Sequence, residues 1–183
     1  MVYLFLADGF EEIEALTPVD LLRRAGVEVT TVGVTGKTVT GSHGIAVSAD
    51  VGAEEALALL GDGKLPEMIV LPGGMPGAAT LDASDLVDTF IDAAEKANAY
   101  IAAICAAPMI LGKRGLLDGK KATCFPGFEE YLQGATYMDV HTVTDGRYIT
   151  GRAMGAATEF ALSLVQALKG EDAAEALRAA VFA

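Results

Sequence analysis

The chain has 183 residues, 52% of them hydrophobic, and its 13 basic against 25 acidic side chains give a formal charge of −12. That balance argues against nucleic acid, whose phosphates require clustered Lys and Arg, and no apolar run approaches the ~20 residues of a membrane helix. The opening "MVYLFLADGFEE" lacks the basic start of a secretory signal, so a cytoplasmic protein is expected, with one domain spanning residues 1–183.

In chain order, "VYLFL" is a short apolar strand, and "EEIEALTPVDLLRRAG" a helix stopped by Gly26. "VEVTTVGV" is a β-branched strand. "KTVTGSHGIAVSADV" alternates around Gly41 and Gly44 and reads as a hairpin-like pair of strands. "EEALALL" is a short helix, and "MIVLPGG" a strand ending in a turn. Val87, Phe90, Ile91 and Ala94 fall at helical spacing. "YIAAI" is a further buried strand, "APMILGKRG" the helix after it, and "KATC" a small strand. "HTVTDGRYITG" reads as a hairpin around Asp145-Gly146. A long helix through Phe160, Ala161, Leu164, Val165 and Leu168 ends at Gly170, and "EDAAEALRAAVF" is a last amphipathic helix. Strands that are continuous apolar runs and alternate with helices indicate an α/β fold, a mostly parallel sheet with helices on both faces.

In such sheets ligands bind beyond the carboxyl ends of the strands. Three segments at those ends carry chemistry. Cys105 lies between the strand "YIAAI" and a helix whose first turn holds Pro108. It is either an inert buried cysteine or a nucleophile whose thiolate the helix N-terminus stabilises, with a pKa well below about 8.5. Gly73 and Gly74 follow another strand, forming a tight turn or a pair of N–H donors to a developing oxyanion. On the first helix, Glu11 and Glu12 read as a solvated first turn. Glu14 shares a face with Phe10, Pro18 and Leu21, which would raise its pKa. Cys124 follows its own short strand and is expected near the same edge, as a resolving thiol or as a small pocket-lining residue. Two cysteines form no disulfide framework, and two histidines, His43 and His141, make no zinc spacing, so no metal is expected.

The segments "ADGFEEIEALTPVDLLRRAG", "VLPGGMPGA" and "IAAICAAP" resemble the signature segments of the ThiJ/PfpI superfamily, in the branch of the parkinsonism-associated protein deglycase. The similarity extends through "GRAMGAATEFALSLVQALKG". It implies a flavodoxin-like three-layer sandwich, a homodimer and no cofactor. It also implies that Cys105 is the reactive, oxidation-sensitive cysteine, that Glu14 is its hydrogen-bonding acid, and that Gly73, Gly74 and Ala106 supply backbone donors to the pocket. The implied activity is a glutathione-independent glyoxalase or deglycase acting on small reactive aldehydes or glycated groups. The alternative is an oxidative-stress sensor or chaperone-like protein, with Cys105 oxidised to sulfinate. One departure stands out: Phe125 occupies a position where many members carry His. His43 lies where several relatives have Arg near the pocket, as an auxiliary group or as a plain turn residue, and His141 reads as structural. A class I amidotransferase or protease mechanism would need a positioned His that the sequence does not offer.

Overall fold

A computed structural model describes residues 1–183. The middle of the central sheet is built from buried, mostly apolar strands. Strand β1 (Val2–Leu6) pairs in parallel with β2 (Val29–Gly33) on one side and with β6 (Met68–Leu71) on the other. The sheet continues in parallel through β7 (Tyr100–Ile104) to β11 (Tyr148–Gly151), whose antiparallel hairpin partner β10 (Thr142–Asp145) forms one edge. At the other edge β5 (Val51–Gly52) adds to β2, giving seven strands in the order β10-β11-β7-β6-β1-β2-β5. The five central parallel strands thus run second, first, third, fourth, fifth in chain order. That is the flavodoxin-like winding, which reverses between β1 and β6.

Alternation along each strand divides the interior into two cores. Val2, Leu4, Leu6, Met68, Val70, Ala102 and Ile104 face α1 (Glu12–Arg24), α6 (Ala157–Lys169) and α7 (Glu171–Ala180). Tyr3, Phe5, Ile69, Leu71, Ile101 and Ala103 face α3 (Gly77–Asp82), α4 (Asp85–Lys96) and α5 (Pro108–Lys113). Ala56 of α2 (Ala53–Gly61) joins this second core. Phe90 of α4 sets its ring edge-on to Tyr3 and Phe5, with centroids 4.8 and 5.1 Å away. The expected α/β sandwich is the one found.

The differences are local. The expected strand pair at 38–48 is present as β3 (Thr38–Thr40) and β4 (Ala46–Ser48), a separate hairpin off the main sheet. "KATC" contributes only β8 (Lys121–Ala122), which leaves the main sheet to pair with β9 (Thr136–Tyr137). The helix after Cys105 is shorter than expected, six residues starting at Pro108. Pro18 lies inside α1, which runs unbroken from Glu12 to Arg24. No helix is long and apolar enough to cross a membrane.

Candidate active site

The site forms where the winding reverses, from the ends of β1, β6 and β7. Beyond β1, the side chain of Glu11 caps α1 by accepting from the Glu14 N–H at 2.7 Å. One turn in, Glu14 is fully buried among Phe10, Pro18 and Leu21, as its helical spacing predicts. Its Oε2 accepts the N–H of Gly73 at 3.0 Å. Its Oε1 is buried with no aligned hydrogen-bond partner. The Cys105 thiol is near enough to act on the carboxyl as a hydrogen-bond partner, without the alignment of a formed bond.

Cys105 ends β7 with φ of +65°, in the left-handed region where a side chain is strained. Such a conformation costs on the order of 1–3 kcal/mol and persists only where its surroundings impose it. Two backbone bonds do so here. The Cys105 N–H donates to the Gly151 carbonyl at 2.9 Å, and the Cys105 carbonyl accepts the Phe125 N–H at 2.8 Å. The turn after β6 closes over the pair. A Cβ at Gly73 would lie 2.6 Å from both Cys105 Cβ and Glu14 Oε2, and one at Gly74 only 2.3 Å from the Glu11 backbone nitrogen. Both glycines are therefore dictated by close approach.

Burial pushes the Glu14 carboxyl up to about 7, opposed by the neighbouring Cys105 thiol, aided by the negative charge of Glu11, and opposed again by the hydrogen bond from Gly73. Cys105 departs from expectation. Burial pushes its thiol up, the Glu14 carboxylate adds to that, and only the N–H groups of Gly74 and Ala106 work the other way. The local fold offers little to offset this, because α5 begins three residues beyond the cysteine. The two groups are coupled, so a proton moved from sulfur to Glu14 removes the carboxylate charge that holds the thiol up.

The backbone donors divide between the two groups: the Gly73 N–H goes to Glu14, whereas Gly74 and Ala106 turn theirs to the sulfur. Glu12 is not solvated: it is 3% exposed and accepts from the His43 backbone N–H at 2.8 Å, with His43 Nδ1 at 3.0 Å. Burial opposes its ionisation, yet the hydrogen bonds from His43 and Ile45 lower its pKa to about 2. No sequence signal flagged this, since the partner turn is 31 residues away. His43 is exposed and serves as a turn residue bonded to Glu12. The ligand-type atoms of Glu11, Glu12 and His43 lie within 4.8 Å of one another, but the Glu12 oxygens are already occupied by the 42–45 turn. Cys124 adjoins the site through the Phe125 N–H, but its side chain belongs to the opposite core from that of Cys105. Burial and Glu129 push its thiol up to about 12. His141 pairs with Glu159 at 2.9 Å on the surface. Phe125 is exposed, its ring edge-on to Phe128 with centroids 6.4 Å apart.

Residues 1–167 match the DJ-1/PfpI family model. The chain belongs to the DJ-1/PfpI family. Protein dj-1beta of Drosophila melanogaster is 38% identical over 170 residues, 91% of this chain and 88% of the relative. The glutathione-independent glyoxalase DJR-1.2 of Caenorhabditis elegans is 30% identical over 169 residues, covering 91% and 87%. The solved structure of oxidised Toxoplasma gondii DJ-1 superposes with a TM-score of 0.91 at 32% identity, covering 99% of this chain and 97% of that one.

Proposed function

We propose that the protein converts 2-oxoaldehydes, free or as early adducts on other molecules, to 2-hydroxy acids without glutathione, through Cys105 and Glu14. The observation that carries this reading is the buried Glu14 carboxyl, its Oε1 lacking an aligned partner beside the cysteine. A carboxyl titrating near 7 can both give and take a proton at neutral pH, as general acid–base catalysis requires.

In the reactive form Glu14 holds the proton, and the Cys105 thiolate is met by the N–H groups of Gly74 and Ala106. Sulfur adds to the aldehyde carbon, and the resulting alkoxide takes the Glu14 proton to give a hemithioacetal. The Glu14 carboxylate then removes the hydrogen on that carbon as a proton, leaving an enediolate. A proton passes from the hydroxyl on that carbon to the neighbouring oxygen, Glu14 returns its proton to the neighbouring carbon, and the resulting 2-hydroxy thioester is hydrolysed by water to the acid and the free cysteine. Gly74 and Ala106 would steady the oxyanion at each stage. The curated glyoxalase relative supports the reaction class.

Steady-state conversion of methylglyoxal to lactate by pure protein tests it. Cys105→Ser should abolish lactate formation; lactate at the wild-type rate from that variant would overturn the assignment. A second reading, a redox sensor, draws on the same geometry: donors facing the sulfur would also hold a sulfinate. It predicts no wild-type turnover and stoichiometric Cys105 oxidation by mild peroxide. Family membership also supports a homodimer, which sedimentation showing a monomer at micromolar concentration would refute.

A further inference from the structure

The backbone contacts of Cys105 lead outward to three loops, and each presents a large apolar side chain to solvent. Met75, 53% exposed, follows Gly74 in the turn that closes over the Cys105–Glu14 pair. Phe125, 43% exposed, donates its own N–H to the Cys105 carbonyl. Met154, 51% exposed, lies three residues past Gly151, whose carbonyl accepts the Cys105 N–H. Nine large apolar side chains are exposed on this acidic protein, and three of them stand on the segments that follow Gly74, Cys124 and Gly151, around one residue. Scattered exposed apolar residues need no explanation, but a set gathered around a candidate nucleophile does.

Charged side chains nearby are otherwise engaged. Arg152 is ion-paired to Asp139, His141 to Glu159, and His43 to Glu12. The rim thus offers no uncommitted cation from these residues to a phosphate or carboxylate on the substrate, and Glu11 adds negative charge beside Glu14. Phe125 has Phe128 edge-on to it, with much of its own ring left in water. An aromatic ring and two flexible methionines on the loops around the cysteine suit a flat or variable apolar group.

We propose that Met75, Phe125 and Met154 form an apolar rim that selects 2-oxoaldehydes with an aryl or long alkyl substituent over methylglyoxal. This rests on the aldehyde-converting reading above and names its substrate class. The reactive carbon would sit at the sulfur, and its substituent would lie against Phe125. Discrimination by an apolar contact of this size is worth about tenfold or more.

The test compares kcat/KM for phenylglyoxal and methylglyoxal with the wild type and with Phe125→Ala and Met154→Ala, each checked for a wild-type melting transition. Wild type should favour phenylglyoxal by about tenfold or more, mainly through a lower KM. Phe125→Ala should reduce that ratio at least about threefold, and Met154→Ala by less. A wild-type ratio near one, with measurable turnover of both aldehydes, would overturn the rim and leave the aldehyde reading standing. No turnover of either aldehyde would overturn the aldehyde reading, and the substrate assignment with it. A Phe125→Ala protein with an unchanged ratio but an altered sedimentation coefficient would assign Phe125 to contact between copies, against the proposal.

Discussion

Glu12 and Glu14 are two residues apart on the first turns of one helix, both buried, and they titrate in opposite directions. Glu12 is lowered to about 2, because backbone and side-chain donors of the 42–45 turn converge on its oxygens. Glu14 is raised to about 7, because burial leaves it one backbone donor and an oxygen without an aligned partner. Burial alone therefore does not decide what a carboxylate does. The count of donors aimed at it does. Glu12 is a structural anion that ties a hairpin to α1. Glu14 is a carboxyl kept short of donors, which is the condition for moving a proton.

The strongest way to break this contrast is Glu14→Gln. It keeps the shape and the capacity to bond Gly73 but cannot exchange a proton, so methylglyoxal turnover should fall by about 100-fold or more. Turnover within a factor of three of wild type would remove Glu14 from the chemistry. The same variant sharpens the contrast in stability. A carboxyl whose pKa is raised in the folded state contributes fully below its unfolded value, near 4.5, and that contribution is lost as pH rises through about 7. The wild type should lose up to about 3 kcal/mol relative to Glu14→Gln between pH 5 and pH 8, read from urea melts across that range. Parallel stability curves for the two proteins would contradict the raised titration.

Glu12 should behave in reverse and more mildly. Its lowered pKa gives stability that is present above the unfolded value and lost as pH falls toward about 2. Glu12→Gln should cost about 1–3 kcal/mol at pH 7, the scale of a hydrogen bond to a charged group. Per folded molecule it should leave turnover within a few-fold of wild type. A loss of turnover as large as that of Glu14→Gln would show that the two carboxylates act as one unit.

The sequence made these two residues unequally legible. Glu14 could be read because its neighbours at helical spacing, Phe10, Pro18 and Leu21, are apolar, and a periodic face is local information. Glu12 could not, because the donors that bury it belong to a turn brought back by β3 and β4. The same distinction runs through the fold. The central strands were legible because a strand covered on both faces must be apolar throughout. Strand β8 was read from "KATC", but its departure from the main sheet was not, because its partner β9 is two residues long and lies beyond an irregular segment. The position of Cys105 followed from its place after a strand. Its titration did not, because the depth of burial and the charge of Glu14 are both tertiary quantities. The assignment of Gly73 to Glu14 was likewise hidden in a contact spanning 59 residues.

The left-handed backbone at residue 105 has a consequence for mutational drift. A glycine there would adopt that conformation without strain, and cysteine and glycine codons differ by a single base. Should the thiol lose its use in some lineage, relief of the backbone strain and the genetic code would both favour glycine at this position. A cysteine at this site is a residue that selection must hold against the fold's own preference.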